Sequence, residues 1–212
     1  MVSPKRLARR RDDARMSRMT GHQHTDDAGG STRRLTYADF RRFPNDGRRH
    51  ELINGEHAVT ASPNKRHQRL SVRLTVALGV FLDANPIGEV YHAPLDCVLS
   101  FFDVVEPDLL VVTDEQREIL TKRNVKGAPA LVVEILSDSS QARDKRTKRA
   151  LYERVGVKEY WVIDPDTDCV SVYRRRASGQ FRFPETLAAS NADTLTTPLL
   201  PGFGLDLVKF FL

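Results

Sequence analysis

Between residues 106 and 164 the chain sets two short apolar runs and a charged, periodic stretch side by side. The runs are Glu106-Pro107-Asp108-Leu109-Leu110-Val111-Val112 and Ala130-Leu131-Val132-Val133-Glu134-Ile135-Leu136. Both are rich in β-branched residues and bounded by turn signals, and near-continuous hydrophobicity of this kind predicts strands covered on both faces of a sheet. Asp144 to Val155 reads as a helix closed by Gly156. At about 100° per residue, Asp144, Lys148, Leu151, Tyr152 and Val155 share one stripe, so Lys148 falls on the apolar side. Lys145, Arg146, Arg149 and Arg154 fall on the other side. Glu159 to Asp164 reads as a further strand stopped by Pro165, making the order strand, strand, helix, strand.

Upstream, order begins at Leu35, and Thr36 to Phe40 carries the cap and first turn of a short helix. Arg49 to Ile53 and Glu56 to Thr60 flank Asn54-Gly55, a strong signal for a type I′ hairpin. Ser62-Pro63 opens a helix on which His67, Leu70, Leu74, Leu78 and Phe81 recur at spacings of three or four, ending near Asn85-Pro86. Val90 to Ser100 is strand-like, a loop around Phe102-Asp103 leads into the Asp108 strand, and Thr113 to Leu120 has helix propensity. Cys169 to Arg174 and Gln180 to Pro184 read as two strands about a turn, with Phe203 to Leu212 a last strand or turn. The pattern predicts an α/β fold: one central mixed sheet joining the Asn54-Gly55 hairpin to the Asp108, Glu134 and Trp161 strands, flanked by helices from Asn64 and from Asp144.

The 212 residues, 40% apolar and 29% charged, suit one domain with a sizeable core, placed at residues 34–212. No run approaches the roughly 18 to 20 apolar residues of a membrane span, and the charged N-terminus is unlike a secretory signal, so a cytoplasmic protein is expected. Cys97 and Cys169 lack metal-ligand spacing and read as buried free thiols. The net charge of +5 resides in residues 1–34, which hold nine Lys/Arg against four Asp; the rest has 24 of each sign. Residues 1–33 read as a disordered basic tail, and the neutral body makes the high pI no sign of DNA binding.

A carboxylate inside an apolar strand must be neutralised, hydrogen-bonded or holding a cation. Asp108 and Glu134 on neighbouring strands form a hard-oxygen set of the kind Mg²⁺ accepts, and a nearby ammonium can serve an attacking water or a phosphoryl oxygen. The same residues also suit a structural ion-pair cluster, with Lys148 satisfied by Glu134 or by Asp144 one turn earlier. His67 suits a hydrogen-bonded core histidine as well as a site residue, and Glu51 lies on a strand whose polar residues commonly face solvent. No phosphate-binding glycine loop, nucleophile elbow or zinc-spaced His/Cys set is present.

Taken together and in order, Glu51-Leu52-Ile53-Asn54-Gly55-Glu56, Ser62-Pro63 with His67, Glu106-Pro107-Asp108-Leu109, Leu131 to Ser137 and Asp144…Lys148…Tyr152…Gly156-Val157-Lys158-Glu159-Tyr160-Trp161 resemble the Uma2 family of restriction-endonuclease-like proteins. The resemblance spans about Leu35 to Arg174 and implies the PD-(D/E)XK nuclease fold, with Asp108 and Glu134 as metal ligands. The wider superfamily carries its lysine two residues after the second acid, where this chain has Leu136; the family's lysine moves to the following helix, which implies Lys148. Ala130 and Asp138 stand where relatives often have Asp and Pro. Two functions are thus expected. One is a Mg²⁺- or Mn²⁺-dependent DNA endonuclease with Asp108, Glu134 and Lys148 at its centre and Glu51 and His67 completing the site, a homodimer being compatible with double-strand cutting. The other is an inert nucleic-acid- or partner-binding module on a nuclease scaffold.

Overall fold

In the computed structural model, which describes residues 33–60, 62–137 and 144–212 (side chains of 144 and 145 excepted), most of the predicted elements are present. All but the last residue of the predicted basic tail, Asp138, and the Asp144 alternative for Lys148 lie outside the described residues, as does the Lys145 side chain. Thr36 caps α1 (Tyr37–Phe40), its hydroxyl accepting from the Asp39 N–H while the Asp39 carboxylate accepts from the Thr36 N–H. The hairpin β1 (Arg49–Ile53) and β2 (Glu56–Thr60) turns at Asn54 and Gly55, both at positive φ as a type I′ turn requires. Asn64 caps α2 (Lys65–Ala84), whose Leu70, Leu74, Leu78 and Leu82 form one buried stripe.

The Val90 to Ser100 run divides into β3 (Gly88–His92) and β4 (Cys97–Ser100), separated by Pro94. The expected loop at Asp103 is instead β5 (Asp103–Val105), followed by β6 (Leu109–Thr113), a 3₁₀ turn over Asp114–Ile119, and β7 (Val125–Lys126). After β8 (Leu131–Ile135), Asp144–Lys148 forms a turn of π-helix that runs into α3 (Arg149–Val155), ended by Gly156 at φ 98°. β9 (Glu159–Asp164) and β10 (Cys169–Arg174) follow as predicted. The expected Gln180 to Pro184 strand contributes only an Arg175↔Phe181 bridge; Pro184 cannot donate to a ladder, and regular pairing resumes at β11 (Glu185–Ala188). β12 (Thr194–Thr196) and β13 (Gly204–Asp206) make a small ribbon. The C-terminus then adds α4 (Leu207–Phe211), capped by Asp206, with Leu207, Phe210 and Phe211 buried at helical spacing.

These strands do not form the single sheet expected. The hairpin belongs to a five-stranded sheet ordered β2-β1-β5-β4-β7, whereas the Asp108, Glu134 and Trp161 strands belong to a mixed six-stranded sheet ordered β11-β10-β9-β8-β6-β3. The crossing falls at Glu106-Pro107-Asp108, between β5 and β6. Proline has no N–H for a ladder, so a run that looks continuous in sequence changes sheets there.

Alternation along β8 explains how the cores divide. Leu131, Val133 and Ile135 join Leu109, Val111, Trp161 and Ile163 beneath α2 and α4. Val132 and Leu136 face the other way, with Leu110, Val112, Tyr160 and Val162, and meet Leu151 and Tyr152 of α3 and Ile53, Cys97 and Val105 of the smaller sheet. Leu52, Val98 and Val104 face α1. The wedge between the two sheets is therefore lined by β1, β6, β8 and α3.

Candidate active site

Strand periodicity carries the two acids into this wedge. In the antiparallel β6–β8 ladder Leu109 pairs with Val133, which brings the preceding Asp108 and the following Glu134 next to each other. Glu134 replaces an apolar residue in the row of Val132 and Leu136. On β1, Arg49 and Glu51 share the face of Ile53, the residue that enters the same core. On the helical segment Lys148 and Tyr152 are four apart and thus neighbours on one face. His67 enters from the first turn of α2, held by its N–H donating to the Asn64 cap oxygen at 2.9 Å.

The residues join as two linked clusters. In the first, Lys148 Nζ donates to Glu134 Oε1 at 2.8 Å and lies 2.9 Å from Glu51 Oε1, while the Tyr152 hydroxyl donates to the same Glu134 oxygen at 2.7 Å. Glu51 Oε1 also accepts from the Glu106 N–H at 3.3 Å. In the second, Asp108 Oδ1 accepts from Arg49 Nη1 at 2.7 Å, and Oδ2 meets His67 Nε2 at 3.0 Å and the Ile135 N–H at 2.8 Å. Glu51, Asp108, Glu134, Lys148 and His67 are each no more than 4% exposed, so the charges meet in a water-poor setting where pairing decides their state.

Electrostatics follow from this packing. Burial alone would raise the Asp108 carboxyl, but His67, Arg49 and the Ile135 N–H outweigh it and hold it at about 2. Burial and the neighbouring Glu134 push the Tyr152 hydroxyl well above its ordinary value, keeping it a neutral donor. Glu106 is raised by burial and by Asp96. A cavity of about 240 Å³ lined by Arg49, His67, Gln68, Ser71 and His92 adjoins the Asp108 side. His67 Nδ1, buried in the same region, has no hydrogen-bond partner among the described residues.

All five predicted residues are thus buried, Glu51 included, and contacts tie them into one region. Sequence pattern alone gives Arg49 and Tyr152 no role. The signal for Arg49 was its place two residues before Glu51 on one strand; for Tyr152 it was its place one turn after Lys148 on the apolar stripe. The carboxylates are the hard oxygen donors a divalent cation takes. Yet in this arrangement Asp108 is occupied by Arg49 and His67, and among the described residues no three His, Cys, Asp or Glu side chains gather as a metal-binding group. The donor chemistry fits a divalent ion, provided that Arg49 cedes Asp108 Oδ1.

A mixed sheet with acids on adjacent strands, covered by helices on both faces, makes this a restriction-endonuclease-like α/β protein. The chain belongs to the Uma2 family, whose model, described as "Putative restriction endonuclease", matches residues 37–208. It is 25% identical over 169 residues to "Uncharacterized protein sll1609" of Synechocystis sp., covering 77% of this chain and 93% of that protein. In fold it is similar to a crystal structure described as "a putative nuclease belonging to DUF820" from Anabaena variabilis, with a TM-score of 0.71 and 20% identity over 84% of this chain and 97% of that one. Among the described residues no helix is long and apolar enough to cross a membrane.

Proposed function

We propose that the protein is a divalent-metal-dependent nuclease that hydrolyses phosphodiester bonds of DNA. The observation that carries this reading is the convergence of Glu134, Glu51, Lys148 and Tyr152 beside the Asp108 carboxylate, in a chain of a family described as "Putative restriction endonuclease". Asp108 and Glu134 would hold Mg²⁺ or Mn²⁺, which when bound supplies a water of lowered pKa and neutralises charge on the phosphate. Lys148, donating between two carboxylates, would orient an attacking water or stabilise a phosphoryl oxygen rather than accept a proton. Tyr152 fixes the Glu134 carboxylate, and Glu51 shares the Lys148 ammonium with it. His67 orients Asp108 through Nε2, and its buried Nδ1 has no hydrogen-bond partner among the described residues.

A second reading has its own support, because Arg49 already neutralises Asp108 and Lys148 already neutralises Glu134. On that reading the scaffold is an inert binding module and the cluster is structural. Plasmid nicking and linearisation with Mg²⁺ or Mn²⁺, run beside calorimetric titration of either ion, separates the two. The nuclease reading expects cleavage and saturable metal binding, both lost in Glu134→Ala. Absence of metal binding and cleavage in the parent protein would establish the inert module.

A further inference from the structure

The balanced charge of residues 35–212 conceals a segregated one. At the end of the large sheet remote from the carboxylates, Lys158, Arg174, Arg175, Arg176 and Arg182 line a cleft of about 810 Å³, with Glu159 as its acid. The parallel register pairs Glu134 with Val162 and Leu131 with Glu159, so the cleft starts three residues, about 10 Å, down the strands from the candidate active site.

Its arginines come from the last residue of β10, Arg174, and the hairpin that follows it. Arg175 bridges Phe181, the Arg182 N–H donates to the Arg174 carbonyl, and the Arg176 N–H donates to the Gln180 carbonyl. This register sets Arg174 across from Arg182, with Arg176 two residues on and hence on the same face. Like charges directly opposite one another destabilise a strand pair, so the arrangement calls for an anion.

Part of that demand is met internally. Arg174 pairs with Glu159 at 2.5 Å and with Glu185, and it donates to the Thr196 carbonyl. Arg175 donates to the Glu153 carbonyl, and Lys158 lies 3.3 Å from Glu115. Arg176 and Arg182 are exposed, and among the described residues neither side chain has a hydrogen bond or ion pair. Two guanidiniums are therefore available at the mouth of a cleft whose lining carries five cations and one paired acid.

We infer that this cleft binds the phosphodiester backbone of duplex DNA, as an anchoring site separate from the carboxylate centre. The inference rests on the nuclease reading for its choice of polyanion. Guanidinium forks match phosphate oxygens bidentately, and such contacts position a duplex without reading its sequence. The excess of cations in the lining also removes the conflict between a neutral body and DNA binding: Glu159, Glu185 and Glu115 offset Arg174 and Lys158, and the exposed Arg176 and Arg182 leave a local positive field.

The test is fluorescence anisotropy of a short labelled duplex against the full chain and its Arg176→Glu/Arg182→Glu variant, across salt concentrations. Both positions are exposed, and circular dichroism with thermal melting confirms that the variant folds. If the cleft binds phosphates, the double variant binds more weakly and its log K against log salt slope is shallower by about 2, one for each lost phosphate contact. Between about 50 and about 200 mM salt it then loses about tenfold less affinity than the parent. An unchanged slope and affinity overturns the inference, as does a parent chain that does not bind DNA. So does dependence on these arginines toward phosphatidylserine vesicles but not toward the duplex. Plasmid cleavage keeps the two readings apart. Arginine-dependent binding without metal-dependent cutting leaves the cleft standing and removes the nuclease, whereas cutting with an unchanged salt slope removes the cleft alone.

Discussion

Replacing Lys148 by Met removes one ammonium and keeps most of the side chain's apolar stem. Lys148 is 3% exposed, and its ammonium lies 2.8 Å from Glu134 and 2.9 Å from Glu51. At an effective dielectric of about 20, each contact is worth roughly 6 kcal/mol of Coulomb energy, and the several kcal/mol needed to desolvate the ammonium offset much of that sum. What decides the net is the state left behind: the carboxylates of Glu51 and Glu134, residues each at most 2% exposed, without the ammonium they share. Breaking a buried pair from one side costs about 3 to 5 kcal/mol, a large part of the roughly 5 to 15 kcal/mol that holds a domain folded. Urea denaturation at neutral pH with chelator present should show that loss in the midpoint, with m unchanged. Adding Glu134→Gln to Lys148→Met removes one stranded charge and should recover about 1 to 2 kcal/mol, so the double variant is the more stable of the two. A loss below about 1 kcal/mol, or a double variant no more stable than the single one, refutes the reasoning. Under the nuclease reading Lys148→Met also lowers turnover beyond the fraction unfolded; turnover that follows the folded fraction alone would make Lys148 a purely structural cation.

Three further outcomes follow from the same geometry. Asp108 is held at about 2 against an ordinary 3.8, so its contribution is complete above the unfolded value and fades as pH falls from about 4 through about 2. Asp108→Asn should remove about 2 kcal/mol of that acid dependence in denaturation curves taken across this window, and a variant with the parent's pH profile would contradict the assignment. Tyr152→Phe deletes one of the donors to Glu134 and should cost about 1 to 2 kcal/mol by denaturant titration, with Lys148 still in place. Arg49→Met withdraws the cation that occupies Asp108, and calorimetry should show Mn²⁺ binding tightened by about tenfold; weakened binding would mean that Arg49 assists rather than competes with the metal.

Local chemistry was sufficient for the elements that carry the site. Asn54-Gly55 specifies its hairpin because both residues must take positive φ, and Asn64 and Gly156 mark helix ends through their own capping geometry. The side of the helix on which Lys148 lies, and the burial of Glu134 in a strand apolar on both faces, are set by helical and strand periods that can be counted along the chain. Their inward placement was therefore legible, as was the Lys148–Glu134 pairing as one of two named alternatives.

Which of these inward groups meet one another was decided only by the tertiary structure. Arg49 lies 59 positions from Asp108, and their pairing depends on two sheets packing face to face after the chain changes sheets at Pro107. Glu51 looked as ready to face solvent as the interior, because a strand's two faces are equivalent until something covers one of them. Here α3 and the larger sheet cover the face that bears Arg49, Glu51 and Ile53. The basic cleft is likewise invisible to a charge count, since a sum over residues contains no positions; Arg174 and Arg182 oppose each other only because the hairpin register puts them there. Sequence determines periodicity and turn chemistry because these act over a few residues. Charge partners across strands and sheets are set by long-range packing, where the cost of burying an unpaired ion selects among the contacts that the fold makes available.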